Sequence, residues 1–367
     1  MDLPEEVLAY IFSFLPMRDR YNAFTVCKAW SRSMIYSSVW KYTEVRCEGG
    51  VDILQTFSAY LPLITKLRLC VGLEDPANRS SALCALQQAV AKGEGQLRAL
   101  CVDCTGNARL FDAGQDLLKG LVDTLAYRPL LTVLDLRGVP FTLNDNFVRS
   151  VAKSCPKLHG LFINNPSLVC GVTTETMREV LNLCPGIIAL GVFHASLSPA
   201  VIGDLLLPGR PSLQQLELRC ERSLKYTPPL GDEIWVELRY RHPNLWVELV
   251  LDHTLPELRV PLVLLPSIPV RHLRLLTWTL LLDEINLVGS SYANTLETLE
   301  LQTPASRELN SALVTLATQC VNLKEVHCYC VVSQEVITAF RENCCLLQRY
   351  TLKTHKEPHP WTCTILK

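Results

Sequence analysis

The chain has little charge and no excess of either sign. Among its 367 residues, 35 Lys and Arg stand against 36 Asp and Glu, and charged residues make up 19%. With no long basic run either, we expect no nucleic-acid partner. A hydrophobic content of 49% excludes a mostly disordered chain, because disordered segments have low hydrophobicity and high net charge. The composition therefore predicts a folded protein with a substantial core.

Long apolar runs and an export signal are also missing. The most apolar windows, RVPLVLLPSIPV and LRLLTWTLLLDEINLV, are shorter than the roughly 20 residues that cross a bilayer. The chain starts with acidic residues, Asp2, Glu5 and Glu6, whereas a secretory signal starts with basic ones. We therefore expect an intracellular protein, cytoplasmic or nuclear or both, with no membrane contact. Its sixteen cysteines are then expected to be reduced thiols.

Catalytic motifs are absent as well: no glycine-rich phosphate loop, no G-x-S-x-G and no H-E-x-x-H. The HCYC stretch is the nearest approach to a zinc site or a reactive cysteine. In a strand, however, alternation sends His327 to the face opposite Cys328 and Cys330, which prevents one tetrahedral site. Cys101 and Cys104 face opposite ways for the same reason. We expect no catalytic residue, no metal site and no cofactor.

A six-residue apolar frame, L-x-x-L-x-L, recurs along the chain. Frames begin at Ile64, Leu97, Leu131, Leu158, Ile187, Leu213, Trp246, Val270, Leu296, Leu323 and Leu347. Most successive starts fall within or near the 20 to 29 residue period of leucine-rich repeats. Between frames, segments such as TTETMREVLNLC place apolar residues at helical spacings of three and four. Each unit therefore reads as a strand followed by a helix.

A strand with three buried positions and a helix with one apolar stripe cannot bury them alone, so neighbouring units must stack. Cysteines recur before the frames, where each helix ends, at Cys155, Cys184, Cys320 and Cys344. This pattern resembles the cysteine-containing class of leucine-rich repeats. The resemblance implies an α/β fold, a curved solenoid with parallel strands inside and helices outside.

The first segment lies outside the repeat and reads as three short helices, at residues 5–15, 17–26 and 28–36. Proline at positions 4 and 16 suits the first turn of the first two helices. Apolar side chains of the first helix cover an arc of roughly 200°, about twice what a surface helix needs. The apolar side chains beyond those that pack on this chain's own core need a second surface to cover them. One alternative is that this segment only caps the first repeat, since solenoid ends need covering.

The ordered residues Leu3-Pro4, Ile11-Phe12, Leu15, Asp19, Val26-Cys27, Trp30 and Val39-Trp40 resemble the F-box motif. The resemblance implies that these helices dock on the Skp adaptor of a cullin-based ubiquitin ligase. The residues expected to touch the adaptor, or to pack beneath the contact, are Leu3, Pro4, Val7, Leu8, Ile11, Phe12, Leu15, Cys27 and Trp30. Arg20 departs from the pattern, because the family commonly has a hydrophobic residue there.

An F-box followed by leucine-rich repeats resembles the F-box/leucine-rich-repeat substrate receptors of SCF ubiquitin ligases. We expect an F-box at residues 1–46, about eleven repeats at 47–354 and a tail or cap at 355–367. The resemblance implies a non-catalytic subunit that binds the adaptor, and through it the cullin scaffold and RING subunit, and presents a protein substrate for ubiquitination and degradation. The alternative is a repeat scaffold or inhibitor that acts outside a ligase.

The frame also indicates where a substrate would bind. Residues between the apolar positions should point to the exposed, concave face. Two aromatic residues, Phe162 and Phe193, would stand there beside charged Arg137, Glu217 and Arg219, as in an interaction hot spot. We expect this patch to contact substrate. A loop or the C-terminal tail could instead cover the two rings.

Overall fold

The computed structural model describes residues 3–47, 55–90, 96–106, 114–126 and 130–355. Its strands are β1 (Tyr42–Cys47), β2 (Lys66–Gly72), β3 (Ala99–Thr105), β4 (Val133–Gly138), β5 (Gly160–Phe162), β6 (Ala189–Phe193), β7 (Gln215–Cys220), β8 (Trp246–Leu251), β9 (Val270–Leu275), β10 (Thr298–Leu301), β11 (Glu325–Val331) and β12 (Arg349–Lys353). The predicted tail, apart from its first residue, lies outside the described residues.

Four helices precede the first strand, and the others alternate with the strands. They are α1 (Glu5–Phe12), α2 (Met17–Val26), α3 (Lys28–Ser33), α4 (Ser37–Trp40), α5 (Pro76–Val90), α6 (Gln115–Leu125), α7 (Asp145–Ser154), α8 (Thr174–Leu183), α9 (Pro199–Leu206), α10 (Asp232–Arg241), α11 (Val260–Val263), α12 (Leu282–Ser291), α13 (Arg307–Gln319) and α14 (Gln334–Asn343). Among the described residues, none of these helices has the length and apolar character needed to cross a membrane.

The predicted α/β repeat fold is confirmed. Every frame contains a strand, β2 to β12, and neighbouring strands pair in parallel and in chain order, from β1 to β6 and from β7 to β12. The register places the buried frame residues side by side, because Leu67 pairs with Leu100 and Leu100 with Leu134. The helices supply the other half of the core; α7, for example, buries Phe147 and Val151. Each unit thus buries its apolar residues against its neighbours, as a stacked repeat must.

The chain divides into two compact units. The first consists of Met1–Val192 and Leu207–Pro211, and the second of Phe193–Leu206 and Ser212–Lys367. Strands β1 to β6 pair successively in the first unit. Strands β7 to β12 do so in the second. Helices α1 to α4 therefore share a unit with the first repeats.

The N-terminal segment differs from the sequence prediction in its helix ends and in two further elements, and α3 ends at Ser33 where the prediction continued to residue 36. Helix α1 ends three residues early, at Phe12, and the chain forms a fourth short helix, α4, before entering β1. Strand β1 lies before the first predicted frame, and pairs with β2 from Tyr42 to Cys47. The sequence did contain a signal for it, since Thr43, Val45 and Cys47 alternate and are all buried.

The cysteines that precede the frames form hydrogen bonds between neighbouring repeats. The Cys184 thiol donates to the carbonyl oxygen of Cys155 at 3.4 Å, and the Cys344 thiol donates to that of Cys320 at 3.6 Å. Each acceptor lies at the end of the preceding helix, where carbonyls lack intrahelical partners. Burial raises the pKa of all four thiols, that of Cys155 and Cys320 to about 12 and that of Cys184 and Cys344 to about 11, so they remain protonated donors.

At the position equivalent to these cysteines, the seventh frame has a histidine. His242 Nδ1 accepts a hydrogen bond from the backbone N–H of Leu213 at 3.1 Å. Burial lowers the pKa of His242, which favours the neutral ring that can accept. The irregular frame WVELVL follows, and there Val247 is buried while Trp246 is only half-buried. The buried alternation of this strand therefore begins at Val247 and continues through Leu249 and Leu251, whereas the frame had placed Trp246 in the core.

Candidate functional site

Helix α1 has a buried face and an exposed apolar face. Leu8, Ala9 and Phe12 are buried, and the Phe12 ring lies 5.2 Å from the Trp30 ring, centroid to centroid. On the other face, large apolar side chains remain exposed, as do the residues just outside the helix. These exposed side chains are Leu3, Val7, Tyr10, Ile11 and Phe14. The excess apolar arc of the sequence is thus real, and within this chain nothing among the described residues covers it.

The nine residues predicted to serve the adaptor contact fall into three groups. Five of them are exposed and available for contact: Leu3, Pro4, Val7, Ile11 and Cys27. Leu15 and Trp30 are partly buried, and Leu8 and Phe12 belong to the core beneath the surface. The structure therefore separates the roles that the sequence left undivided.

Sequence reasoning missed other members of this apolar surface. Tyr10 and Phe14 are both more exposed than Ile11, and their rings pack edge to face with centroids 5.0 Å apart. Val26 and Ile35 are also exposed. For Tyr10 and Phe14 the signal was present in the helical arc, but the F-box motif does not include these two positions. We call the exposed residues Leu3, Val7, Tyr10, Ile11 and Phe14 the α1 surface.

Arg20, the departure from the F-box pattern, does not lie on this surface. Its side chain is buried and donates hydrogen bonds to the carbonyl oxygens of Phe12, Ser13 and Tyr42 and to Thr43 Oγ1, at 3.0 to 3.3 Å. Burial lowers the pKa of Arg20 to about 10. The guanidinium caps the C-terminal end of α1, where carbonyls are left unpaired and a cation is favoured.

The N-terminal helices are also joined to the first repeat by a cluster of aromatic rings. Trp40 stacks on Tyr60, with ring planes 2° apart and centroids at 5.1 Å, and packs edge to face on Phe57. Trp40 Nε1 donates to the carbonyl oxygen of Met34 at 2.7 Å. Trp40 and Phe57 are fully buried. In the first unit, the helices and the repeat therefore share one core.

The predicted aromatic patch on the sheet is not exposed, which corrects the expectation for Phe162. Its ring is 7% exposed. The Arg137 guanidinium lies over the ring, 4.6 Å from its centroid, and also pairs with Asp135 at 2.6 Å. On the neighbouring strand, a Cβ at Gly191 would come within 2.8 Å of the ring. The ring thus occupies the space left by the missing side chain of Gly191, and Arg137 covers it.

The remaining predicted residues of the patch belong to the second unit, where burial again departs from the expectation. Phe193 is buried, and the chain passes directly from it into the 3₁₀ helix His194–Ser196, which contacts β7. Glu217 is 2% exposed and accepts a hydrogen bond from Gln215 Nε2 at 2.6 Å. Arg219 is mostly buried and forms an ion pair with Asp252. Arg137 is therefore the most accessible of the five predicted substrate residues.

The HCYC stretch follows the predicted alternation. His327 hydrogen-bonds to Thr351 Oγ1 at 3.0 Å, whereas Cys328 is buried with its sulfur 3.2 Å from that of Cys330. The hydrogen bond between the thiols raises the pKa of Cys328, as does burial of that thiol, and the same hydrogen bond lowers the pKa of Cys330. Within the described residues, no three His, Cys, Asp or Glu side chains are grouped so that they could hold a metal ion.

The pair Cys101 and Cys104 stays separate as well. Cys101 lies near Asp103 on the face of β3 that carries polar residues, with 3.8 Å from its sulfur to Asp103 Oδ2. Burial raises the pKa of both thiols to about 12, which leaves them protonated and poorly nucleophilic. All cysteines in the described part of the chain are free thiols.

Comparison with known proteins finds a matching family model and full-length relatives. Residues 1–43 match the family model described as F-box-like. The whole chain is similar to F-box/LRR-repeat protein 8 of Homo sapiens, with 42% identity over 99% of this chain and 98% of the relative. Identity is 41% to the Bos taurus protein of that name and 40% to the Mus musculus protein, again over 98% of each relative.

Proposed function

The chain belongs to the F-box/LRR-repeat family, and on that premise we propose that it is the substrate-recognition subunit of an SCF ubiquitin ligase. It binds the Skp adaptor through its N-terminal helices and presents a protein substrate on its repeats. Through the adaptor it joins a cullin scaffold and a RING subunit inside the cell. The receptor itself is non-catalytic, and ubiquitination of the substrate leads to its degradation.

The α1 surface is the observation that carries this proposal. A helix of a monomeric protein normally turns its large apolar side chains inward, yet Val7, Tyr10, Ile11 and Phe14 face outward from the same helix that buries Leu8 and Phe12. Burying a side chain of this size is worth about 1.5 to 3 kcal/mol. A partner that covers the α1 surface therefore gains several such contributions at once.

The junction between the helices and the repeat supports a role in presentation. Arg20, Trp40 and Phe57 fix the helices to the first strand through buried hydrogen bonds and ring packing. A substrate held by the repeats is thereby confined near whatever the helices bind. Confinement raises the effective concentration of a substrate lysine at the ubiquitin thioester, and this is the physical contribution of a receptor that performs no chemistry.

Binding to purified Skp adaptor tests the proposal. The variant with Leu3→Ala, Pro4→Ala and Ile11→Ala removes apolar contact area from exposed positions only, so circular dichroism should show the wild-type fold. We expect its affinity for the adaptor to fall by at least about 30-fold, since roughly 2 kcal/mol or more of apolar burial is lost.

The matched control is Tyr240→Ala. Tyr240 is a large residue that is more exposed than Leu3 or Ile11, but it lies on α10 in the second unit, so adaptor affinity should not change. If neither the wild-type protein nor the variants bind the adaptor, the receptor role fails and the chain is a repeat scaffold with a helical cap.

A further inference from the structure

In the second unit, four exposed apolar side chains lie in the three successive loops that follow β7, β8 and β9. Tyr226 lies in the first loop, Leu258 in the second, and Trp278 with Leu280 in the third. All four are more than half exposed, from 59% for Trp278 to 89% for Leu258. We call these four residues the strand-end surface.

The three loops are held side by side. The strands end in register, because Cys220 pairs with Leu251 and Leu251 with Leu275. Backbone hydrogen bonds continue beyond the strands, from Asp252 N–H to the Cys220 carbonyl at 2.8 Å and from Leu276 N–H to the Leu251 carbonyl at 2.9 Å. The apolar side chains are thus displayed from neighbouring positions on one end of the sheet.

Arg259 also joins the first loop to the second. Its guanidinium donates to the carbonyl oxygen of Thr227 at 3.1 Å and to that of Lys225 at 2.7 Å. The Arg222 backbone N–H adds a bond to Thr254 Oγ1 at 3.3 Å. These hydrogen bonds join the residues on either side of Tyr226 to the loop that carries Leu258. This part of the surface is therefore preorganised in the unbound protein.

Trp278 adopts a backbone conformation that only glycine and asparagine adopt easily. Its φ is 60°, and it is the one non-glycine residue with positive φ among those the structure describes. Such a conformation is costly for a large side chain and persists only where the surroundings enforce it. Here the Trp278 N–H donates to the Gln302 carbonyl at 2.9 Å, and Thr303 Oγ1 donates to the Thr279 carbonyl at 2.7 Å.

The strained backbone at Trp278 does not improve core packing, because the indole ring is exposed to solvent. Tryptophan is the residue type most enriched in binding hot spots, and a side chain fixed in advance loses little entropy on binding. The conformation of Trp278 is therefore that of a preorganised anchor for a partner.

The charges around the anchors indicate the partner. In the first loop the exposed charged residues are the cations Arg222 and Lys225, whereas the exposed carboxylates lie elsewhere, Glu257 in the second loop and Glu233 and Asp283 at the starts of α10 and α12. Lys225 Nζ lies 5.5 Å from the centroid of the Tyr226 ring, so a positive charge borders the apolar anchors directly. Complementarity then favours a partner with carboxylates next to its apolar side chains.

We propose that the strand-end surface is where the repeats hold the substrate, and that it recognises an acidic segment in which apolar or aromatic side chains alternate with Asp or Glu. The assignment rests on the proposed receptor function and names its recognition site. It places recognition on the loops after β7 to β9, whereas the aromatic rings expected on the sheet face, Phe162 and Phe193, are buried.

The test uses the full-length protein, alone and bound to the Skp adaptor, with two sets of fluorescein-labelled 15-residue peptides. One set alternates Leu, Phe and Trp with Asp and Glu, and the other replaces every acidic residue with Lys or Arg. Fluorescence anisotropy should show binding of acidic peptides. Trp278→Asn removes the indole while tolerating the backbone conformation, and should weaken binding at least 10-fold.

Charge reversal by Arg222→Glu with Lys225→Glu should weaken binding to a similar extent, and Tyr240→Asn on α10 is the control that should not change it. The proposal is overturned if no acidic peptide binds, if basic peptides bind as well, or if Trp278→Asn binds like the wild type. It is also overturned if sedimentation shows a dimer that Trp278→Asn dissociates, because the surface would then join two copies. Adaptor binding in the same preparations reports separately on the receptor function.

Discussion

Arg20 and Trp40 lie against each other inside the first unit, with the guanidinium carbon 5.4 Å from the centroid of the indole ring. Both side chains are buried, and both donate hydrogen bonds to backbone carbonyls, Arg20 to that of Phe12 at the end of α1 and Trp40 to that of Met34. An arginine that looked like a departure from the F-box pattern is therefore part of the joint between the helices and β1.

Replacing Arg20 with Leu should destabilise the first unit by roughly 2 to 4 kcal/mol, because it strands buried carbonyl oxygens that lose their donor. Arg20→Lys, which keeps a charge but cannot reach all four acceptors, should be intermediate. Urea unfolding of the first unit measures the loss. At temperatures where the variants remain folded, adaptor affinity should equal that of the wild type, and an Arg20→Leu protein as stable as the wild type contradicts the role given to this side chain.

Phe162→Ala should lower the free energy of unfolding by about 3 kcal/mol, because it opens a cavity between Gly191 and the Arg137 side chain. Arg137→Gln is the informative partner variant. It removes an exposed, ion-paired group and should cost less than about 1 kcal/mol. Thermal denaturation separates the two, and equal losses would show that Phe162 is not the buried member of the pair.

Trp278→Asn should leave the melting temperature unchanged or raise it, because asparagine tolerates positive φ and the indole it replaces is exposed. Trp235→Ala, at a buried tryptophan of the same unit, should instead cost about 3 to 5 kcal/mol. Differential scanning calorimetry gives both values. A loss at Trp278 as large as that at Trp235 would mean that the indole stabilises the fold.

Acid should weaken the second unit through His194. Burial lowers the pKa of this histidine to about 4, so the unfolded chain takes up a proton near pH 6.5 that the folded chain refuses. Stability therefore falls as pH decreases from about 6.5 towards 4, by roughly 2 kcal/mol at pH 5. His194→Gln should remove this part of the pH dependence. Urea midpoints at pH 7 and pH 5 make the comparison, and an unchanged pH slope in the variant would exclude His194 as its source.

The repeat architecture could be predicted from the sequence because its signal is repeated. The frame identified the buried residues of most strands, as at Leu323, Val326 and Cys328, which are all fully buried. The last frame behaves differently, since Tyr350 is half-exposed although the same rule buries it. The rule describes stacking between neighbours, and among the described residues β12 has a neighbouring strand on one side only, β11.

Alternation predicts the direction of a side chain but not what covers it. Phe162 and Glu217 point where the period of two sends them, yet a neighbouring arginine or glutamine hides each one. The role of Arg20 depends on carbonyls that are distant in sequence, and the backbone of Trp278 on hydrogen bonds to the next repeat. None of these contacts produces a periodic pattern of residue types in the sequence, so they can be seen only in the structure.

The cysteines that form hydrogen bonds between repeats also differ from the other cysteines in chemical accessibility. Cys27, Cys84 and Cys345 are exposed, whereas Cys155 and Cys184 are buried with their pKa raised to about 12 and about 11. A buried, protonated thiol reacts with an electrophile only when its own repeat opens. The rate at which each buried thiol is alkylated therefore reports how often its own repeat unfolds locally. The order in which the cysteines react gives the order of local stability along the repeats.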